Sequence, residues 1–111
     1  MELLKDIYQR IIKMITEKTD LLSDVKKFAS KFIDTWVYTS EEWCKKESSA
    51  PYYLLAGGVV LAAEGELYNI MNGHYKGKAN DNVRNRLHKI AEKHGYYIEQ
   101  GYHWSWHFIE K

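Results

Sequence analysis

The sequence predicts an α+β fold, helix-dominated with four to five helices, that ends in a C-terminal antiparallel β-hairpin packed on those helices. Three observations carry this. Apolar residues recur at three- and four-residue spacing through the first third of the chain. Asp81 to His94 repeats that pattern between clear stop signals. The last residues alternate strictly, Tyr102, Trp104, Trp106 and Phe108 against His103, Ser105, His107 and Ile109.

Residues 2–17 read as an amphipathic helix with Leu4, Ile7, Ile11 and Ile15 on one stripe, widened by Leu3, Tyr8 and Met14. Thr19 and Asp20 are expected to break it and to cap a second helix reaching about Trp36, with Leu21, Val25, Phe28, Phe32 and Trp36 inward. Lys26, Lys27, Ser30, Lys31 and Asp34 take mostly the other face. So short a connection favours an antiparallel helical hairpin. Thr39-Ser40-Glu41-Glu42 is a capping box, and it predicts a short helix to Lys46 that carries Trp43 inward.

Glu47 to Pro51 reads as a loop. Residues 52–72 admit two readings. The preferred one is a central apolar helix from Pro51 to Asn72, ended by Gly73. The alternative is a hairpin of Tyr52–Ala56 with Val59–Ala63, turned by Gly57-Gly58. His74–Asn80 is a polar loop, and Asn80 or Asp81 is expected to cap the following helix. Val83, Leu87, Ile90 and Ala91 form the buried side of that helix, and Gly95 stands where a left-handed cap belongs. In the final hairpin a turn at Gln100-Gly101-Tyr102 places Tyr96 and Ile98 on the aromatic face and leaves Glu99 outside.

With 111 residues the chain suits one domain, residues 1–111. A composition 45% hydrophobic and 28% charged supports a core and argues against disorder. One cysteine, Cys44, allows no intrachain disulfide. The N-terminus lacks the pattern of a signal peptide, and no apolar run is long enough to span a bilayer, so the chain reads as cytoplasmic with no membrane partner.

The net charge is +1, but it is unevenly spread. Residues 1–50 balance nine positive against nine negative groups, whereas residues 70–111 hold seven against four and all five histidines. Asn82, Arg86, Lys89 and Lys93 form one stripe opposite Val83, Leu87 and Ile90, with Lys76, Lys78 and Arg84 beside it. Tyr75, Tyr97 and Tyr102 lie near loops and strand edges, and exposed tyrosine beside arginine and lysine marks an interface. These ten residues are the expected partner-binding surface.

No residue pattern points to catalysis. Cys44 has no local histidine, Ser48 and Ser49 lack an elbow motif, and Gly57-Gly58 lacks the lysine of a phosphate loop. His103 and His107, each two residues from Ser105, are expected to share one face of a strand. They supply two metal ligands at most, and no spacing selects a third. The expected function is therefore non-enzymatic protein binding without cofactor or metal. In size and surface alone the chain resembles the small inhibitors carried by phages and mobile elements, some of which occlude nucleic-acid-processing enzymes. The alternatives are a winged-helix-like nucleic-acid binder using the 82–93 helix, and a metal-dependent enzyme at His103 and His107.

Overall fold

The first helix passes straight through its expected break. In the computed structural model, which describes residues 2–46, 58–74 and 77–111, α1 runs unbroken over Glu2–Ala29. The hydroxyls of Thr16 and Thr19 bond back to the carbonyls of Ile12 and Ile15, each at 2.9 Å, so threonine finds its partner inside the helix instead of capping a new one. The helix ends at Ala29, and the Thr35 hydroxyl lies 3.0 and 2.9 Å from the carbonyls of Ala29 and Phe32. Asp34 then adopts a left-handed conformation, φ 54°, and redirects the chain into β1, Thr35–Thr39. The expected helical hairpin is thus one long helix followed by a strand. Trp36, expected on the inner face of a second helix, stands exposed on an edge strand.

The capping box forms as predicted. Thr39 N–H donates to the Glu42 carboxylate at 3.1 Å, and Glu42 N–H donates to the Thr39 hydroxyl at 3.2 Å. The resulting helix α2, Ser40–Lys46, buries Trp43 completely. The expected loop at 47–51 and the first strand of the alternative hairpin lie outside the described residues. Val59–Ala63 is a strand, β2, as in the alternative reading, and it overturns the preferred continuous helix from Pro51 to Asn72. After β2 the chain is helical again at α3, Glu66–Met71, and Gly73 ends it in the left-handed conformation expected of it, φ 72°. The next helix, α4, is Lys78–Lys93. It starts ahead of the expected caps, from Gly77, so Asp81 sits in its first turn, where a carboxylate favours the helix dipole. Gly95 closes it with φ 79°. The strands β3, Tyr96–Gln100, and β4, Ser105–Glu110, form the C-terminal hairpin.

All four strands join one antiparallel sheet in the order β1-β2-β4-β3. This makes β2 and β4 central, and both of their faces are covered. Val59, Leu61, Ala63, Trp106 and Phe108 share a cluster with Leu21, Val25 and Phe28 of α1, Leu67 of α3, and Leu87 and Ala91 of α4. Val60 and Ala62 pack against Trp43 on the other side, flanked by Tyr38, Tyr102 and Trp104. A strand buried on both faces carries a continuous apolar run with no alternation, which is why Val59–Ala63 does not announce itself as one.

The hairpin loop is also longer than expected. Gln100 pairs with Trp106, leaving Gly101 to Trp104 as the loop, closed by Gly101 N–H to the Ser105 carbonyl and Ser105 N–H to the Tyr102 carbonyl, both 3.1 Å. Ile98 lies opposite Phe108 and Glu99 stays exposed, as burial requires. Tyr102 and Trp104, however, leave the face of Trp106 and Phe108. They stack on each other at 5.0 Å and lean on Trp43 from the opposite side of the sheet. Among the described residues no helix is long and apolar enough to cross a membrane.

Candidate partner-binding groove

Helical periodicity sorts α4 into an inner row, Val83, Leu87 and Ala91, and an outer row that includes Arg86, Lys89 and Lys93. The same periodicity in α1 buries Leu21, Val25 and Phe28 and leaves Asp24 and Lys27 at the rim, which Lys31 extends from the turn just past the helix. Where α1 packs on α4 the two rims face each other across a concavity of about 420 Å³. Phe28 and Ile90 give it an apolar floor, and five cations surround it: Lys27 from α1, Lys31 from the turn that follows it, and Arg86, Lys89 and Lys93 from α4.

One carboxylate stands among them. Asp24 accepts a 2.7 Å hydrogen bond from His94 Nε2, and Lys93 Nζ lies 3.5 Å away. The His94 hydrogen bond, with help from Lys93, holds the Asp24 carboxyl below its ordinary value of 3.8. Asp24 therefore stays ionised and occupies Lys93 in part. Lys27, Lys31, Arg86 and Lys89 make no ion pair among the described residues. Against the single carboxylate of Asp24, these four cations leave the groove with an excess of positive charge, and an anionic ligand relieves their mutual repulsion.

Of the ten residues that the sequence singled out, three line this groove. Lys78 and Asn82 are exposed at the start of α4, and Asn82 borders a neighbouring polar concavity shared with Arg86, His88 and Lys89. Arg84 is withdrawn from the stripe. It donates to the Ile70 carbonyl at 3.0 Å and pairs with Asp81, fastening α4 to α3. Tyr97 is exposed on edge strand β3, and Tyr102 is half-buried in the Trp43 cluster. Tyr75 and Lys76 lie outside the described residues. Lys27 and Lys31 were missed because the sequence shows them only as the outer face of a helix; their four-residue spacing beside Phe28 was the one available signal.

His103 and His107 do not share a face. His103 belongs to the exposed loop, whereas His107 is buried in β4. Burial lowers the His107 pKa to about 4, so the ring is neutral. Ser105 Oγ lies 3.0 Å from His107 Nε2 and accepts the Tyr102 N–H at 2.8 Å. With the ring neutral, the serine hydroxyl donates to it. That is a base beside a hydroxyl, yet both side chains are buried and the backbone of Gly101 lies flat across them: a Cβ there would overlap His107 Nε2. The pair fastens the hairpin loop and offers no room to a substrate. Among the described residues no group of three His, Cys, Asp or Glu side chains is placed to hold a metal ion.

Comparison with known proteins finds no matching family model, no matching curated protein and no matching solved structure.

Proposed function

We propose that the protein is a non-enzymatic binding module that grips an acidic, partly apolar segment of a protein partner in the α1–α4 groove. It acts by occluding what it covers. The observation that carries this reading is the convergence of Lys27, Lys31, Arg86 and Lys89, none in an ion pair among the described residues, around a floor of Phe28 and Ile90. The floor accepts an apolar side chain, and the rim accepts carboxylates on either side of it. Two observations favour a protein over nucleic acid. Asp24 places a fixed negative charge inside the groove, which a peptide avoids by setting an apolar side chain there and its carboxylates at the rim, whereas a continuous phosphate backbone has no uncharged stretch to place against it. The hairpin loop, which a winged-helix reading needs as a wing, is folded back onto Trp43 and Ser105.

The test compares fluorescently labelled acidic peptides carrying one leucine or phenylalanine with generic duplex DNA, across a salt series. Peptide binding is expected, and Arg86→Glu with Lys89→Glu should weaken it at least ~10-fold while leaving the fold intact, because surface charges typically alter stability by about 0.5 kcal/mol or less. Unchanged peptide binding by the double variant would refute the groove. Tighter binding to DNA, falling steeply with salt, would favour the nucleic-acid reading instead.

A further inference from the structure

The apolar face of α1 continues past the core that it serves. Leu21, Val25 and Phe28 are buried in the core, and the same alternation of three- and four-residue steps runs back through Lys18 to Ile11, Ile7 and Leu4. Over that N-terminal half the face is bare. Every large apolar side chain from Leu3 to Ile15 that the structure describes is 44 to 72% exposed. The described molecule measures 56 Å along its longest axis but 31 and 20 Å across the others, and a helix of 28 residues accounts for about 42 Å of that length. A helical segment of this length is marginal in water on its own, so its apolar face calls for a partner.

We propose that the partner is a second copy of the same chain, the two N-terminal halves of α1 lying antiparallel. Strict three-four spacing is the seam of a coiled coil, and such a seam is best matched by a helix with the same spacing. Lys18 ends the apolar run. It points to an ion pair with Glu41 of its own chain, 3.1 Å away, which marks where the intermolecular seam stops and the chain's own core begins. The free seam is self-complementary about Gln9: in an antiparallel pair Ile7 of one copy meets Ile11 of the other. A parallel pair would bring both bodies to the same end, where each already occupies the seam with its own sheet and α4, whereas the antiparallel pair sets them at opposite ends. An antiparallel contact from Leu3 to Ile15 extends over about 20 Å of each helix and buries on the order of 1,000 Å² in total, near the lower limit of a specific interface and in keeping with a reversible dimer. The polar side of this segment carries Asp6 among Lys5, Arg10 and Lys13, a mixed face and not the uniformly basic one that an anionic membrane selects.

Sedimentation velocity of the full chain over the micromolar range tests the pairing. A reversible dimer is expected, with small-angle scattering showing two separated lobes. Ile7→Glu with Ile11→Glu should weaken self-association by roughly 100-fold or more. It should leave the tryptophan near-ultraviolet spectrum unchanged, because neither residue belongs to a buried cluster. Leu4→Lys, at a more exposed position, should act in the same direction. A wild-type monomer throughout the range, a dimer that survives the double substitution, or a single compact lobe in scattering would overturn the proposal. So would a monomer that sediments with vesicles of mixed phosphatidylglycerol and phosphatidylcholine, since the face would then belong to a membrane surface.

Discussion

Asp24 and His94, seventy positions apart in sequence, are joined by a 2.7 Å hydrogen bond that ties α1 to the C-terminal cap of α4. It sets the spacing of the two rims of the groove, and it places a carboxylate among the groove's cations. Asp24→Asn keeps the shape and removes the charge. A charge-assisted hydrogen bond becomes a neutral one, so stability at neutral pH should fall by about 1 kcal/mol. The Asp24 carboxyl is held below 3.8 in the folded protein, so its contribution is present above that value and lost as pH falls through the lowered folded value. Urea titrations should therefore show the gap between wild type and variant closing in strong acid. The same variant should bind acidic peptides a few-fold more tightly at low salt, since the groove loses its only carboxylate among the described residues.

His107 gives a second pH dependence in a different window. Its ordinary value of 6.5 is lowered to about 4 by burial, so on acidification the unfolded chain takes up the proton first. Stability is unaffected above about 6.5, declines as pH falls from there toward 4, and loses no more from this group below that. The full loss is on the order of 3 kcal/mol. Asp24, Glu41 and Glu42, whose values lie below 3.8, 4.5 and 4.5, act only in stronger acid. His107→Gln cannot take the proton. Its melting temperature should fall less than that of wild type between pH 7 and 4.5, and parallel curves would show that His107 does not titrate in this way.

Local chemistry was legible in the sequence, and tertiary covering was not. The Thr39–Glu42 box, the left-handed Gly73 and Gly95 and the inner row of α4 follow from neighbours within one or two turns. For Val59–Ala63 the sequence leaves helix and hairpin strand both open and favours the helix, because both faces of the strand are covered by elements distant in the chain and no polar side reveals its period. The break at Thr19 failed because a helical threonine can satisfy its hydroxyl four residues back. The groove divides in the same way. Arg86, Lys89 and Lys93 were visible as a stripe on one helix, whereas Lys27 and Lys31 join them only through the packing of α1 on α4. Arg84 looked equivalent to Arg86, and only the fold shows that it is spent on Ile70 and Asp81.

The two C-terminal tryptophans should behave differently, although they stand two residues apart. Trp106 is buried in the main core, and Trp106→Ala should cost roughly 3–5 kcal/mol, enough to unfold a marginally stable protein. Trp104 is half-buried on the opposite side of the sheet, stacked on Tyr102, so Trp104→Ala should cost about 1–2 kcal/mol. Thermal melts of the two variants measure the difference. Equal losses would mean that the face of Trp43 is as important to stability as the main core.

The geometry of Arg86 separates the two classes of partner without knowledge of the partner itself. A guanidinium presents a planar fork that matches a carboxylate through two parallel hydrogen bonds, whereas lysine offers a point charge. Arg86 is exposed, has no ion pair among the described residues and borders both the α1–α4 groove and the neighbouring polar concavity, so nothing intramolecular holds its fork. Arg86→Lys preserves the charge of the rim and should leave the melting temperature unchanged within about 0.5 kcal/mol of stability. For a peptide carboxylate seated in the groove, loss of the fork should weaken binding by about 3- to 10-fold, an effect that persists at moderate salt because it is one of geometry. A nucleic acid contacted only through phosphate charge should tolerate the exchange and show the same salt slope for both proteins. Isothermal titration of Arg86→Lys and wild type against one acidic peptide and one DNA duplex, at two salt concentrations, distinguishes these outcomes. An exchange without effect on the peptide would remove the bidentate contact from the proposed mode and leave only the summed charge of Lys27, Lys31, Arg86 and Lys89 to account for binding.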